Sequence, residues 1–97
     1  MQQLSAENIK QRIFQTVAGL VEDETVVVTE RTPLIGDGRA LDSMKLVELC
    51  LALEDLAGEL GSAFDWTSET AMSRSRSMFR SAGSLATEFL AQRDGRE

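Results

Sequence analysis

The sequence predicts a small all-α protein with one domain. Its 97 residues, 42% of them hydrophobic, suffice for one small core. Three segments carry apolar residues at helical spacing, and no two stretches form a convincing pair of strands. We therefore expect a four-helix bundle of three longer helices and a short third one, with a long loop between the first two. The domain spans residues 1–97, with a helical core at about 5–90 and a frayed tail at 93–97.

The first helix is predicted from about Ser5 to Leu20. Apolar side chains recur at three- and four-residue intervals from Ile9 to Val21, and Ser5 is a suitable N-cap. The next segment, "VEDETVVVTERTPLIGDGRAL", holds the only proline and two glycines, which oppose a continuous helix. The β-branched run from Thr25 to Thr29 could form a strand, but it has no partner strand, so a packed loop is favoured.

The second helix is predicted from Ser43 to about Ala57 or Leu60, with Gly58 and Gly61 as candidate stops. One broad face gathers the expected core residues: Leu46, Leu49, Cys50, Leu53, Leu56, Ala57 and Leu60. A second strip carries apolar and acidic residues: Met44, Val47, Glu48, Leu51, Glu54 and Asp55. Its apolar members either face solvent as a docking strip or pack against the loop or the third helix; the pattern favours neither, and partial burial that serves both roles is expected.

The remainder of the chain predicts two further helices. Thr67 or Ser68 caps a brief third helix that ends at about Met72. The segment "SRSRSMFRS" is expected to be a polar, solvated loop in which Met78 and Phe79 turn inward. Ser81 caps a last helix, whose apolar residues follow helical spacing: Ala82, Leu85, Ala86, Phe89 and Leu90. Trp66 is expected to fill part of the core beside Phe64.

Composition argues against an enzyme and against several kinds of ligand. The chain has no histidine and no tyrosine, which excludes histidine-based triads and histidine metal ligands. Its net charge of -6 disfavours nucleic acid and anionic membranes, and it favours partners with basic patches. The single cysteine, Cys50, is expected to be a small buried hydrophobe. Without a signal-like or bilayer-spanning apolar run, we expect a cytoplasmic monomer that does not insert into membranes.

The dipeptide Asp42-Ser43 is the most informative local feature. With Asp42 as N-cap, Ser43 takes the first helical position, where its hydroxyl can face solvent and the helix N-terminus can steady an attached phosphate. Because the chain offers no obvious base, Ser43 is better suited to modification by another enzyme than to acting as a nucleophile itself. The alternative is that Ser43 merely helps to start the helix, since both residue types are common there.

The stretch around Ser43 resembles the acyl carrier protein family. The similarity extends over about residues 5–90. It includes the motif Asp42-Ser43-Met44 and, in the same helix, "VEL" at 47–49 and "ALE" at 52–54, together with Gly83 near the start of the last helix. Ala40 and Lys45 depart from the usual pattern of glycine and an acidic residue at these positions. These departures are typical of a specialised member.

The resemblance implies that a phosphopantetheinyl transferase attaches 4'-phosphopantetheine, taken from coenzyme A, to Ser43. The arm would hold acyl intermediates as thioesters for a fatty-acid, polyketide or lipid pathway. Ligases, synthases or transferases with basic patches would dock on the strip of Met44, Val47, Glu48, Leu51, Glu54 and Asp55. Two alternatives remain open: an aminoacyl or peptidyl carrier loaded by an adenylating ligase, and an unmodified acidic interaction module in which Ser43 is only part of a cap.

Overall fold

The computed structural model describes residues 5–21, 25–36 and 38–93. The described chain is all-helical, as predicted, and contains no strand. Its helices are α1 (Ala6–Leu20), α2 (Ser43–Glu59), α3 (Glu69–Ser73), α4 (Ser75–Met78) and α5 (Ala82–Arg93). The predicted frayed tail therefore begins inside a helix at Arg93, and residues 94–97 lie outside the described part.

Capping interactions at α1 and α2 explain why both helices begin and end close to their predicted bounds. The Ser5 hydroxyl accepts a hydrogen bond from the Asn8 amide at 3.2 Å and starts α1. At the end of α2, Gly61 adopts a φ of +74°, which favours glycine. The Ser62 amide then reaches back to the carbonyl of Ala57 at 2.8 Å. Gly61 is thus the stop, while Gly58 lies inside the helix.

The predicted polar loop at "SRSRSMFRS" is wrong over Ser75–Met78, which forms the single-turn helix α4. One turn of helix directs Met78 and Phe79 into the core, where both are buried as expected. The Ser75 hydroxyl supports the junction with α3 by donating to the carbonyl of Met72 at 2.9 Å. The serine-rich composition suggested a loop. In the structure, the Ser75 hydroxyl instead donates a hydrogen bond to a backbone carbonyl at the junction of two short helices.

The core lies where α1 packs against both α2 and α5. Ile9, Ile13 and Val17 form the buried stripe of α1 and are fully inaccessible to solvent. Phe64 and Phe89 meet with ring centroids 5.6 Å apart, which closes the end of the core near the α2–α3 connector. Of the seven predicted core residues of α2, five are buried, and Leu46 and Leu60 are half-buried against them.

The long loop is fastened to the start of α5 rather than paired as a strand. The amides of Ala82 and Gly83 donate to the carbonyls of Thr32 and Glu30 at 2.9 and 3.0 Å. These bonds satisfy α5 amides that have no partner within the helix. The described part of the loop also buries Leu34. The predicted packing of the loop is therefore confirmed at Val28, Leu34 and Ile35 but not at Val26, which is exposed, and the described loop residues form no strand.

Helices long and apolar enough to cross a membrane are absent from the described residues.

Candidate attachment site and docking surface

Ser43 lies at the first position of α2 and is exposed. The preceding residue, Asp42, has extended backbone dihedral angles and acts as the N-cap. Its carboxylate oxygen Oδ1 accepts a hydrogen bond from the Lys45 amide at 2.9 Å. As predicted, Asp42 caps α2, and the Ser43 side chain takes no part in the cap.

Other serines at helix starts show what Ser43 does not do. The hydroxyls of Ser5, Ser68 and Ser81 each accept a hydrogen bond from the amide three residues further on, at 3.1 to 3.2 Å. The Ser43 side chain makes no such bond within the described ranges, because Asp42 holds the capping position one residue earlier. Its hydroxyl is therefore exposed at a helix N-terminus, where backbone amides favour an attached anion.

The second strip of α2, which we call the docking face, consists of Met44, Val47, Glu48, Leu51, Glu54 and Asp55. All six residues are exposed. The apolar members expose 78% (Met44), 46% (Val47) and 49% (Leu51) of their surface. Met44 is therefore mostly in solvent, whereas Val47 and Leu51 are each about half covered by the protein, as partial burial implies. The structure thus brings Ser43 and the predicted face together on one helix.

Two of the acidic residues on the docking face have nearby partners within the protein. Glu48 lies 3.8 Å from the Lys45 ammonium, a loose surface pair that contributes little to stability. Glu54 accepts a 2.6 Å hydrogen bond from the indole Nε1 of Trp66 through its Oε2. Trp66 was predicted to fill part of the core; its ring does pack against core residues, but it is only half-buried. No local pattern signals a contact between residues 12 positions apart.

A cleft of about 400 Å³ opens on another side of the start of α2. Its lining combines apolar and charged residues from α1, the loop and α2, including Pro33, Arg39, Asp42 and Lys45. Ser43 does not line it. The cleft was not predicted from the sequence, because its walls come from separate elements that only the fold brings together.

Cys50 has no role at this site. It is buried, as predicted, and burial raises the pKa of its thiol to about 12, with a smaller contribution from the negative charge of Glu54. A thiol with this pKa is protonated and unreactive near neutral pH. In the described part of the chain, no group of three or more metal-ligating residues is close enough to hold an ion.

The arginines near the short helices differ in their environments. Arg74 pairs with Glu88 of α5 at 3.0 Å and is partly buried, so it is part of the packing between α4 and α5. Arg76 and Arg80 are exposed, as a solvated segment requires. These three arginines lie in and next to α3 and α4, whereas the residues of the docking face belong to α2.

Comparisons with known proteins assign no family to this chain: no family model, no curated protein and no solved structure matches it significantly.

Proposed function

We propose that this protein is a carrier whose Ser43 bears a 4'-phosphopantetheine arm. The observation that supports this most directly is the exposed hydroxyl of Ser43, which is left without a capping role because Asp42 accepts the Lys45 amide. A serine that only caps a helix would use its hydroxyl as Ser5 and Ser68 do. Modification is thus a better explanation of its placement than helix initiation.

The attachment chemistry needs an external catalyst. The Ser43 oxygen would form a bond to the phosphorus of coenzyme A that carries the pantetheine group. The bond between this phosphorus and the bridging oxygen of the pyrophosphate would break, and the nucleotide part would leave with that oxygen. The serine proton must pass to a base, and a chain without histidine has no obvious group for that task near neutral pH. We therefore assign both the base and the coenzyme A site to a phosphopantetheinyl transferase. The protein itself is proposed to be a carrier rather than an enzyme.

The helices are consistent with the small four-helix bundle that we propose for such a carrier. The three longer helices are α1, α2 and α5, and the pair α3–α4 takes the place of the short third helix. The start of α2 is held by the packed loop, in which the Ala40 amide donates to the carbonyl of Pro33 at 2.9 Å. A fixed helix start suits the presentation of Ser43 to several enzymes in turn.

The docking face is proposed to receive the modifying enzyme and the enzymes that load and unload the arm. Exposed apolar side chains edged by carboxylates suit partners with an apolar centre and a basic rim. A net charge of -6 would speed encounter with such partners. The proposed cargo is an acyl group, held as a thioester in a specialised fatty-acid, polyketide or lipid pathway. An aminoacyl cargo from an adenylating ligase is the alternative. We propose a cytoplasmic monomer.

A second candidate is an unmodified interaction module that binds a basic protein through the docking face. The exposure of Met44 supports this candidate as well, because a large apolar side chain left in water favours burial by a partner. The two candidates differ in one respect: only the carrier needs the hydroxyl of Ser43.

The proposal is tested by incubating the protein with coenzyme A and a broad-specificity phosphopantetheinyl transferase and measuring its intact mass. We expect one phosphopantetheinyl addition on the wild-type chain and none on Ser43→Ala. The matched control is Ser68→Ala, which removes another exposed helix-start hydroxyl and should leave modification unchanged. An unmodified wild-type chain, or addition that persists in Ser43→Ala, would defeat the carrier function and leave the interaction module.

A further inference from the structure

The hydrogen bond between Trp66 and Glu54 links the docking face to the α2–α3 connector. The indole Nε1 donates to Oε2 at 2.6 Å, a short bond to a charged acceptor. Glu54 is exposed beside Leu51 on the docking face. An exposed glutamate normally samples several rotamers, and a partner that binds it must overcome that freedom. Here one end of the side chain is already held.

The indole can hold Glu54 because the connector is itself anchored. The backbone of Asp65 is bonded twice to the side chain of Gln92 on α5: its amide donates to Oε1 at 2.6 Å, and its carbonyl accepts from Nε2 at 2.9 Å. The Asp65 carboxylate in turn accepts hydrogen bonds from Ser68. With these bonds on either side and its ring against the core, Trp66 presents its N–H from a fixed position.

The geometry leaves part of the carboxylate available to a partner. A carboxylate has two oxygens and about four acceptor sites, and the indole uses one site on Oε2. The other oxygen, Oε1, can accept from a guanidinium or ammonium group. Glu48 differs, because the ammonium group of Lys45 on the same helix lies 3.8 Å from its carboxylate, and this charge competes with that of a partner.

We propose that Trp66 is a positioning residue for docking: its indole orients the Glu54 carboxylate so that Oε1 meets an arginine or lysine of the modifying enzyme. This inference rests on the proposed carrier function. The occupant of the face is a basic enzyme surface, as the charge of the strip and the apolar contact at Leu51 require.

The test compares transferase kinetics on Trp66→Phe, Glu54→Gln and the double variant. Trp66→Phe keeps an aromatic ring but removes the N–H donor. We expect it to raise KM for the carrier about three- to tenfold, the equivalent of ordering one side chain, with kcat unchanged. Because Trp66 acts through Glu54, the double variant should be no worse than Glu54→Gln alone. As the control, Glu48→Gln combined with Trp66→Phe should give additive effects.

A second measurement observes Trp66 directly in the wild-type chain, and the outcome that would overturn the inference needs no variant. Trp66 is the only tryptophan, so the protein gives one indole N–H signal by NMR. Titration with the transferase without coenzyme A should shift this signal, and the same titration of Glu54→Gln should shift it much less. An indole signal that stays in place while backbone signals of α2 move would overturn the inference.

These experiments distinguish a failure of the carrier function from a failure of the role proposed for Trp66. A wild-type chain that is not modified at saturating transferase removes the carrier function and this inference with it. A wild-type chain that is modified, with Trp66→Phe folded by circular dichroism and unchanged in KM, removes only the role of Trp66. Additive effects of Trp66→Phe and Glu54→Gln would likewise overturn the positioning role.

Discussion

Gly83 is the residue whose replacement tests most sharply how the loop is held against α5. A Cβ at this position would lie 2.8 Å from the backbone oxygen of Glu30 and 3.2 Å from its Cα. The contacted atoms are mostly backbone, so they cannot rotate away. The same approach brings the Gly83 amide to that oxygen at 3.0 Å, and relief of the clash would lengthen this hydrogen bond.

We expect Gly83→Ala to lower the free energy of unfolding by about 1–3 kcal/mol, the usual range for overpacking a tight site. Alanine is the better helix former by about 1 kcal/mol, so a loss of stability would mean that the clash exceeds this gain. For a domain of this size the melting temperature should fall by roughly 4–8 °C per kcal/mol. Urea unfolding followed by circular dichroism measures the change.

Gly58→Ala is the matched control. Gly58 also lies in a helix, but nothing lies within 4 Å of its Cβ position. This substitution should stabilise the protein by about 0.5–1 kcal/mol through helix propensity alone. A Gly83→Ala variant that is as stable as the wild type, or that gains as much stability as the control, would show that the loop does not pack tightly against α5 at this position.

Further predictions concern charge, thiol reactivity and pH. Glu48→Lys should slow phosphopantetheinylation roughly three- to tenfold at low salt, whereas Glu7→Lys, the same charge change on α1, should leave the rate unchanged. Equal rates for the two variants would contradict docking through Glu48. Cys50 should resist a thiol reagent at pH 8 until urea unfolds the chain. Because burial raises the pKa of its thiol from 9.0 to about 12, the unfolded chain loses this proton first, and the free energy of unfolding should fall as the pH rises through that interval. Rapid labelling of the folded apo protein would contradict its burial. The hydrogen bond from the Ser68 hydroxyl lowers the pKa of Asp65, so Ser68→Ala should raise that pKa towards its ordinary value in an NMR titration. The same substitution removes the α3 cap and should lower the free energy of unfolding by about 1 kcal/mol. An unchanged Asp65 titration would refute the assigned cause.

The elements predicted correctly from the sequence are those whose signals are local. The spacing of Ile9, Ile13 and Val17 determines one face of α1, and Ser5 supplies its start within the same few residues. Asp42 does the same for α2, so the exposure of Ser43 could be predicted from a dipeptide. Periodicity needs several turns to be recognised, and all three longer helices provide them.

The missed features depend on short or distant relationships. The helix α4 has four residues, too few to show a period, and its serines are typical of turns. The contact between Trp66 and Glu54 depends on where α2 ends and how the connector folds back. The approach of Gly83 to Glu30 joins residues far apart in the chain. Such contacts follow from packing, which no local pattern records.

The position of the modification tests the central claim most directly. After reaction with coenzyme A and a phosphopantetheinyl transferase, trypsin should release residues 40–45 as one peptide, because Arg39 and Lys45 are its flanking cleavage sites. Fragmentation of this peptide in a mass spectrometer locates the added group. The carrier function predicts the phosphopantetheinyl mass on Ser43, the only hydroxyl-bearing residue of the peptide. The same mass on a peptide from another part of the chain, or on none, would contradict it.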